Sequence, residues 1–485
     1  MSKKNNNDNK ELNFIKKTLD ESRKEILNLL TKKYHWSKND AIIAEESVYA
    51  STRSAMRQTY SNTKFQEYID LNNTGIIKSN KTDLLHFFRT FPDLASWIHV
   101  ASNIPYYQSL GDTLGYNNGK WEFNYGDVRA GPDYVNEMIY EFISLGGIND
   151  IDISNWMASD DTILYMATLE TLVSMNLEKV DKININTFGE KLRLAYLAAK
   201  PLIANRHPGQ ITSDSLEIQE NIVWNKLPYN SMAKGNGSVM RSGSIGIFFP
   251  GKHNRSTLVA LAIESSRITH NSTIANLGSI ATALFTAYAL ERVPVNFWPS
   301  KFLKLLQSNL IDSYMELAHP TEYSLYIRDK VVFIGQWEKY VRLRFSGTSV
   351  RTDQKWMKNP VLRYKYLVEN FSKSCDIPGS CADDSVIMAY DALLEAGNVF
   401  EKAVVYSILH PGDSDTIGSM TLSWYGALYN DARNQLLWGD RFDELEFADR
   451  LATIGESMVE VLKRIFYRDI YLNIARKYLK QIVAK

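Results

Sequence analysis

The chain has 485 residues, 45% of them apolar and 23% charged, which is enough for one large globular domain or two to three smaller ones. Lys plus Arg and Asp plus Glu both number 55, so no overall charge attracts nucleic acid or an anionic membrane. Two cysteines cannot build a disulfide framework and no secretory apolar segment stands at the N-terminus, so we expect a cytoplasmic protein.

The first 93 residues carry no chemical pattern that we can interpret. Residues 1–10 form an Asn/Lys repeat typical of disorder, and apolar spacing predicts an amphipathic helix from about Glu11 to Leu30. Residues 1–33 hold nine Lys and Arg against five Asp and Glu, a mildly basic arm. The small excess of positive charge on this arm is not enough to indicate a nucleic-acid partner.

The remainder is rich in helical patterns and predicts an all-α fold whose long loops carry the chemistry. Helical lengths and apolar spacing recur at 161–176, 256–267, 277–292, 386–396 and 415–429. Strand-like alternation is rare, with a weak instance at Val331–Ile334. The longest apolar run, Leu277 to Leu290, is interrupted by hydroxyl residues and is shorter than the roughly 20 residues that a bilayer requires, so we expect no membrane span.

Two acidic motifs, Ser159-Asp160-Asp161-Thr162 and Asp413-Ser414-Asp415-Thr416, each begin a predicted helix. Helix capping explains one acidic side chain at such a place, but not two carboxylates in each of two motifs. If the fold brings the helix starts together, the like charges require a counter-ion. Oxygen ligands select a hard cation, Mg²⁺ first, with Ca²⁺ or Mn²⁺ as alternatives.

Three other segments could line a site. Glu122 stands between Trp121 and Phe123, where a desolvated carboxylate could serve acid–base chemistry. The glycine-rich segment 234–241 could receive a phosphate on its backbone N–H groups and on Arg241, or could be a flexible loop. The segment 378–385 could line a pocket or cap the next helix.

These segments, in this order, resemble the ADP-ribosylglycohydrolase family, and most closely its ADP-ribosylarginine hydrolase branch. The resemblance covers about residues 94–485 and leaves residues 1–93 as an N-terminal extension. The matching segments are GDTLGYNNGKWEF (111–123), SDDTILYMAT (159–168), GNGSVMRSGSIGIFFP (235–250), ESSRITH (264–270), ATALFTAYA (281–289), MAYDALLEAG (388–397) and GDSDTIGS (412–419).

The resemblance implies a compact all-α catalytic domain over 94–485 that holds two Mg²⁺ ions and acts on ADP-ribosylated arginine in proteins. Its partners would be ADP-ribosylated proteins or ADP-ribose, and we expect a monomer. The implied metal ligands are Ser159, Asp160, Asp161, Asp413, Asp415 and Thr416. The implied catalytic residues are Glu122, Asp160 and Asp161. The implied substrate-binding residues are Asn236, Gly237, Ser238, Met240, Arg241, Gly379, Ser380 and Asp384.

The chain departs from that branch at Ala382-Asp383-Asp384, where the branch typically has Gly-His-Asp, and it lacks the tryptophan just upstream. That loop shapes the cleft, so two alternatives stay open: hydrolysis of O-linked ADP-ribose, on serine or on an acetyl ester, and a non-catalytic ADP-ribose-binding relative. The intact Asp pairs argue against the second.

Overall fold

The computed structural model describes residues 94–122, 132–175, 183–352, 356–373, 375, 377–430 and 441–462, together with a few isolated positions. The chain divides into two compact units, and the larger comprises residues 99–176 and 180–457. The predicted helix from Glu11 to Leu30 lies almost entirely outside the described residues.

The described residues are mostly α-helical. In chain order they are α1 Leu94–Tyr116, α2 Pro132–Ser144, α3 Gly147–Asp150, α4 Asp160–Ser174, α5 Ile185–Ile203, α6 Gln210–Gln219, α7 Gly243–Phe248, α8 Arg255–Arg267, α9 Thr273–Leu290, α10 Trp298–Leu306, α11 Asn309–Ala318, α12 Tyr323–Arg344, α13 Pro360–Phe371, α14 Asp384–Ala396, α15 Phe400–Ile408 and α16 Ser414–Tyr429. Two short antiparallel strands, β1 Phe345–Ser346 and β2 Ser349–Val350, form a hairpin in which Phe345 pairs with Val350. The predicted all-α class is confirmed.

The five helical segments named from the sequence coincide with α4, α8, α9, α14 and α16 to within a few residues. The strand-like interpretation of Val331–Ile334 is wrong, because these residues lie within α12. Val331 and Val332 are 68% and 60% exposed, whereas Phe333, Trp337 and Tyr340 are buried at helical spacing. The apolar face of a helix repeats every three to four residues, and a four-residue window is too short to distinguish that period from alternation.

Helix α9 forms the centre of the unit, and all of its residues are buried. Phe285, near its C-terminal end, contacts an aromatic cluster with ring centroids 5.3–5.6 Å away, formed by Trp298, Phe302, Trp337, Tyr390 and Trp424. Among the described residues α9 is also the one helix long and apolar enough to cross a membrane, and its complete burial inside the fold is that of a core helix.

A buried ion cluster joins α12, α13 and α14. Asp391 is fully buried and accepts hydrogen bonds from Arg344 Nε (2.6 Å), Arg363 Nε (2.7 Å) and the Tyr340 hydroxyl (2.6 Å). Burial alone would raise the Asp391 pKa, but the two arginines outweigh it and lower the pKa from 3.8 to about 2. The cluster therefore fixes α14, and with it the loop that precedes this helix.

Asp391→Asn is expected to destabilise the fold by about 3–5 kcal/mol at neutral pH, because it removes the carboxylate that the buried Arg363 guanidinium contacts and one of the two carboxylates that Arg344 contacts. In the wild type the stabilisation due to the low pKa is complete above pH 4 and is lost as the pH falls from about 4 toward 2. Denaturant unfolding of both proteins at pH 7 and at pH 3 measures this. An unchanged free energy of unfolding at pH 7 would contradict it, and the exposed substitution Asp214→Asn is the control.

Candidate active site

Close packing of α1 against the start of α16 brings two of the predicted motifs together. A Cβ atom on Gly115 would lie 2.4 Å from the Ser414 carbonyl oxygen, and one on Gly111 would lie 2.3 Å from that of Gly418. Ser414 Oγ donates to the Gly115 carbonyl at 2.8 Å. Only glycine permits this approach of two backbones, so the segment Gly111–Gly115 sets the position of the second acidic motif.

Asp112, between these glycines, holds the first acidic motif. Its fully buried carboxylate accepts hydrogen bonds from Ser159 N (3.1 Å) and Thr162 N (3.0 Å). Ser159 caps α4 by accepting from Asp161 N at 3.1 Å. The N–H groups at the start of α4 are thus satisfied by Asp112 and Ser159. Capping therefore does not account for the carboxylates of Asp160 and Asp161, which are 6% and 2% exposed.

The two acidic motifs meet directly, as the sequence hypothesis requires. Thr416 Oγ1 donates to Asp161 Oδ1 at 3.3 Å, and Ser419 Oγ donates to Asp161 Oδ2 at 3.1 Å. Asp413 caps α16 by accepting from Thr416 N at 3.3 Å. The helix starts of α4 and α16 therefore form one buried site, although they are more than two hundred residues apart in the chain.

Glu122 belongs to the same site. A carboxylate oxygen of Glu122 lies within 4.8 Å of one from Asp413 and one from Asp415, and all three residues are buried. The chain reaches this position through a turn at Asn117, Asn118 and Gly119, all with positive φ. Glu122 is 4% exposed, and the adjacent Trp121 is also buried and donates from Nε1 to Glu141 at 2.9 Å.

The electrostatics of this site favour a cation. Burial, followed by the charges of Asp112 and Asp413, raises the pKa of Asp160 to about 7, and Arg241 offsets this only in part. Burial and neighbouring carboxylates also raise the pKa of Asp161 and Asp415 well above the usual range. Buried acids that repel one another either keep protons or bind a cation. The donor set of carboxylates and hydroxyls fits Mg²⁺ or another hard cation.

The glycine-rich segment lies against this site through Asn236. Asn236 Nδ2 donates to Asp413 Oδ2 at 2.7 Å and to the Gly379 carbonyl at 2.9 Å. Gly237 lies so close to His270 and Thr212 that a Cβ atom would be 2.8 and 2.7 Å from their side chains. Asn236 therefore connects the glycine-rich segment both to an acidic motif and to the loop before α14.

Arg241 and Ser238 are buried behind the glycine-rich loop, a burial that the sequence did not predict. Arg241 is fully buried and donates to the Gly237 carbonyl (2.8 Å) and to Thr269 Oγ1 (2.7 Å), with its guanidinium over the Tyr196 ring. Ser238 is fully buried, and its hydroxyl accepts from Ser266 Oγ at 3.0 Å. Both side chains thus brace the glycine-rich loop, and their contact with substrate stays a prediction. Met240, only 3% exposed, is also part of the interior.

The loop before α14 has a comparable internal brace. Asp384 is fully buried and accepts from Gly379 N (2.8 Å) and Cys381 N (3.0 Å), so its carboxylate supports the loop. Its contact with substrate stays a prediction. Gly379 adopts φ +87°. Ser380 is partly exposed and donates to the Ile377 carbonyl at 2.8 Å. Asp383 is 3% exposed, and its Oδ1 atom has no hydrogen-bond partner.

Sequence reasoning missed Asp112 and Ser419 as site residues. Both contact the site through partners remote in sequence: Asp112 through residues 47 and 50 positions away, and Ser419 through one 258 away. The sequence offered one indication of a role for Asp112, because this residue lies in the same matching segment, 111–123, as Glu122.

Asp112→Asn is expected to weaken Mg²⁺ binding about tenfold, because an amide places a donor against Ser159 N or Thr162 N and disturbs the start of α4. Residues that orient metal ligands typically act through affinity, so activity should recover at high Mg²⁺. Titration of Mg²⁺ into each protein measures its Mg²⁺ affinity, with the exposed Asp152→Asn as the matched control. An unchanged Mg²⁺ requirement would contradict the positioning role of Asp112.

The two cysteines are joined. Cys375 and Cys381, six positions apart, form a disulfide across the loop before α14. A single disulfide between residues six positions apart is not the network of several disulfides that the sequence excludes. It lies beside the site, since Cys381 pairs by a β-bridge with Gly235 of the glycine-rich segment.

Comparison with known proteins places this site in a family. The profile of the ADP-ribosylglycohydrolase family matches residues 108–460. The protein L444 of Acanthamoeba polyphaga mimivirus, whose name assigns it to the ADP-ribosyl glycohydrolases, is 52% identical over 473 residues, 96% of this chain and 89% of its own length. ADP-ribosylhydrolase ARH1 of Dictyostelium discoideum is 31% identical over 343 residues, 66% of this chain and 84% of its own length. A solved chain of an ADP-ribosylglycohydrolase-related protein complex is 16% identical, with a TM-score of 0.43, over 77% of this chain and all of its own length.

Proposed function

The chain belongs to the ADP-ribosylglycohydrolase family, and on that basis we propose that it is a magnesium-dependent hydrolase that removes ADP-ribose from arginine side chains of proteins. The bond cleaved would join C1″ of the ribose to a guanidinium nitrogen. Water supplies the oxygen that bonds to C1″, and the released guanidinium takes up a proton.

The observation that carries the proposal is the convergence of buried carboxylates. Glu122, Asp413 and Asp415 come within 4.8 Å of one another, and Asp161 is linked to the second motif by Thr416. A fold would gain stability by replacing such mutually repelling acids, so their retention supports a functional cation site. This also argues against a relative that has lost its catalytic site.

The two Mg²⁺ ions would be held by Ser159, Asp160, Asp161, Asp413, Asp415 and Thr416. When bound, such ions supply positive charge that orients ribose hydroxyls and lowers the pKa of a water. Asp112 and Asn236 would keep the ligands in place through the hydrogen bonds already described.

Glu122 is our candidate for the group that moves protons. It lies among the carboxylates but belongs to the loop after α1, not to either acidic motif. Its carboxylate would accept a proton from the attacking water as positive charge develops on the ribose in an oxocarbenium-like transition state. Backbone N–H groups near Gly235 and Gly237 would face the pyrophosphate, and the Arg241 brace would fix that loop.

The linkage is the finer part of the proposal. Similarity to ARH1 of Dictyostelium supports arginine, at 31% identity. The Ala382-Asp383-Asp384 sequence departs from the pattern of the arginine-specific branch in the loop beside the site, and this departure is the reason for the second candidate, O-linked ADP-ribose. The buried Asp383 carboxylate, with an oxygen that has no hydrogen-bond partner, favours arginine, because it would suit a cationic guanidinium better than a neutral O-linked group.

Product analysis decides between the two linkages. Peptides that carry ADP-ribose on one arginine or on one serine are incubated with the protein and Mg²⁺, and released ADP-ribose is quantified. We expect the arginine-linked peptide to turn over at least about tenfold faster, a difference of about 1.4 kcal/mol in transition-state binding. Faster release from serine would establish the second candidate, and binding of ADP-ribose with no turnover of either peptide would establish the non-catalytic alternative.

A further inference from the structure

The loop enclosed by Cys375 and Cys381 presents three successive carbonyl groups to the site. The Pro378 carbonyl accepts from Asp413 N at 2.9 Å. The Gly379 carbonyl accepts from Asn236 Nδ2 at 2.9 Å, and the Ser380 carbonyl accepts from Asn236 N at 3.0 Å. Asp413 and Asn236 are themselves joined at 2.7 Å. This loop therefore holds an implied metal ligand and the glycine-rich segment in one arrangement.

The disulfide joins the two ends of this loop. At its exit, Ala382 N donates to the Lys234 carbonyl at 2.8 Å, and Cys381 N donates to the Asp384 carboxylate at 3.0 Å. At its entry, Cys375 N donates to the Ser372 carbonyl at 3.2 Å. The disulfide thus bonds the entry of the loop covalently to its exit.

The bond is also reachable. Cys375 is partly exposed, whereas Cys381 is 4% exposed, so a reductant can attack the Cys375 sulfur from solvent. A dithiol would supply two electrons and two protons, the sulfur–sulfur bond would break into two thiols, and the dithiol would become its own disulfide. Re-oxidation by a disulfide partner reverses the exchange.

From this arrangement we infer that the Cys375–Cys381 disulfide is a redox latch on the site, and that its reduction loosens the loop at 377–380 and weakens binding of Mg²⁺ together with ADP-ribose. The inference rests on the proposed function. Its physical basis is that opening the ring restores freedom to a loop whose carbonyls position Asp413 and Asn236.

The experiment compares the full-length chain in the oxidised and the reduced state. Mass spectrometry distinguishes the states, since reduction adds two hydrogen atoms. Calorimetric titration of ADP-ribose at a series of Mg²⁺ concentrations then gives the Mg²⁺ level at half-maximal binding. We expect this level to be about fivefold higher after reduction, which is the lower range of coupling between linked sites.

Cys375→Ser is the matched variant, and it should show the higher Mg²⁺ requirement whether or not a dithiol is present. Thermal denaturation of each form verifies that the protein is folded at the temperature of the titration. If Cys375→Ser does not fold, the oxidised and reduced wild type still decide the question. Superimposable Mg²⁺ curves for the oxidised and reduced wild type would overturn the latch while leaving the proposed function intact. No binding of ADP-ribose and no turnover in either redox state would overturn the proposed function and the latch with it.

Discussion

Asp415→Asn is expected to reduce hydrolysis of ADP-ribosylated arginine by about a hundredfold or more while leaving the protein folded. Asp415 is 2% exposed, and its pKa is raised by burial and by the charges of Glu122, Asp413 and Asp161. An amide of the same size removes this repulsion, so the metal-free variant should be at least as stable as the wild type. Loss of turnover without loss of stability is the signature of a residue that serves function at the expense of the fold.

Initial rates at saturating Mg²⁺ and thermal denaturation without metal measure the two effects. Asp160→Asn should behave in the same way, because Asp160 is likewise a buried carboxylate of the first acidic motif whose pKa is raised by burial and by neighbouring carboxylates. The surface substitution Asp214→Asn, which also replaces one carboxylate by an amide, should leave both quantities unchanged. Wild-type turnover by the Asp160→Asn/Asp415→Asn double variant would overturn the assignment of these residues to a metal centre.

Mg²⁺ is expected to raise the thermal stability of the wild type, and to do so most at neutral and higher pH. The pKa of Asp160 is raised from 3.8 to about 7, so in the metal-free fold this group keeps a proton that the unfolded chain has lost. The free energy of unfolding without metal should therefore fall as the pH rises from about 4 to about 7. When a cation replaces these protons, the free energy of unfolding should instead rise with pH, because the cation binds the ionised carboxylates.

At a Mg²⁺ concentration of about 100 times its dissociation constant, the stabilisation is about 2.7 kcal/mol, which corresponds to a rise in Tm of about 3 °C for a chain of this size. Differential scanning calorimetry at pH 5.5 and 7.5, with chelator or with Mg²⁺, measures it. The Asp160→Asn variant should lose most of the response. An equal Mg²⁺ effect in the variant and the wild type would place the ion elsewhere on the protein.

The fold and the two acidic motifs could be recognised from the sequence because their signals are local. Ser159 and Asp413 are recognisable caps, and the apolar spacing that follows them marks α4 and α16. A pair of aspartates at such a place exceeds what a cap requires. The convergence of the two motifs was a hypothesis that followed from charge balance, and the hydrogen bond from Thr416 to Asp161 now joins them.

The supporting residues could not be predicted, because their roles depend on partners remote in sequence. Arg241, in a glycine-rich loop, has the pattern of a phosphate ligand, but packing against Tyr196 and hydrogen bonds to Gly237 and Thr269 bury it completely. Asn236 is joined to Asp413 across 177 positions. No spacing rule anticipates such pairs, since they depend on how segments remote in sequence pack together.

The central claim is that the buried carboxylates act through bound Mg²⁺, and chelation followed by re-addition tests it most directly. The protein is treated exhaustively with a chelator, the chelator is removed, and release of ADP-ribose from an arginine-linked peptide is followed with and without added Mg²⁺. We expect release to fall by about a hundredfold or more without metal and to return fully with Mg²⁺. Undiminished release by the metal-free protein would contradict the claim.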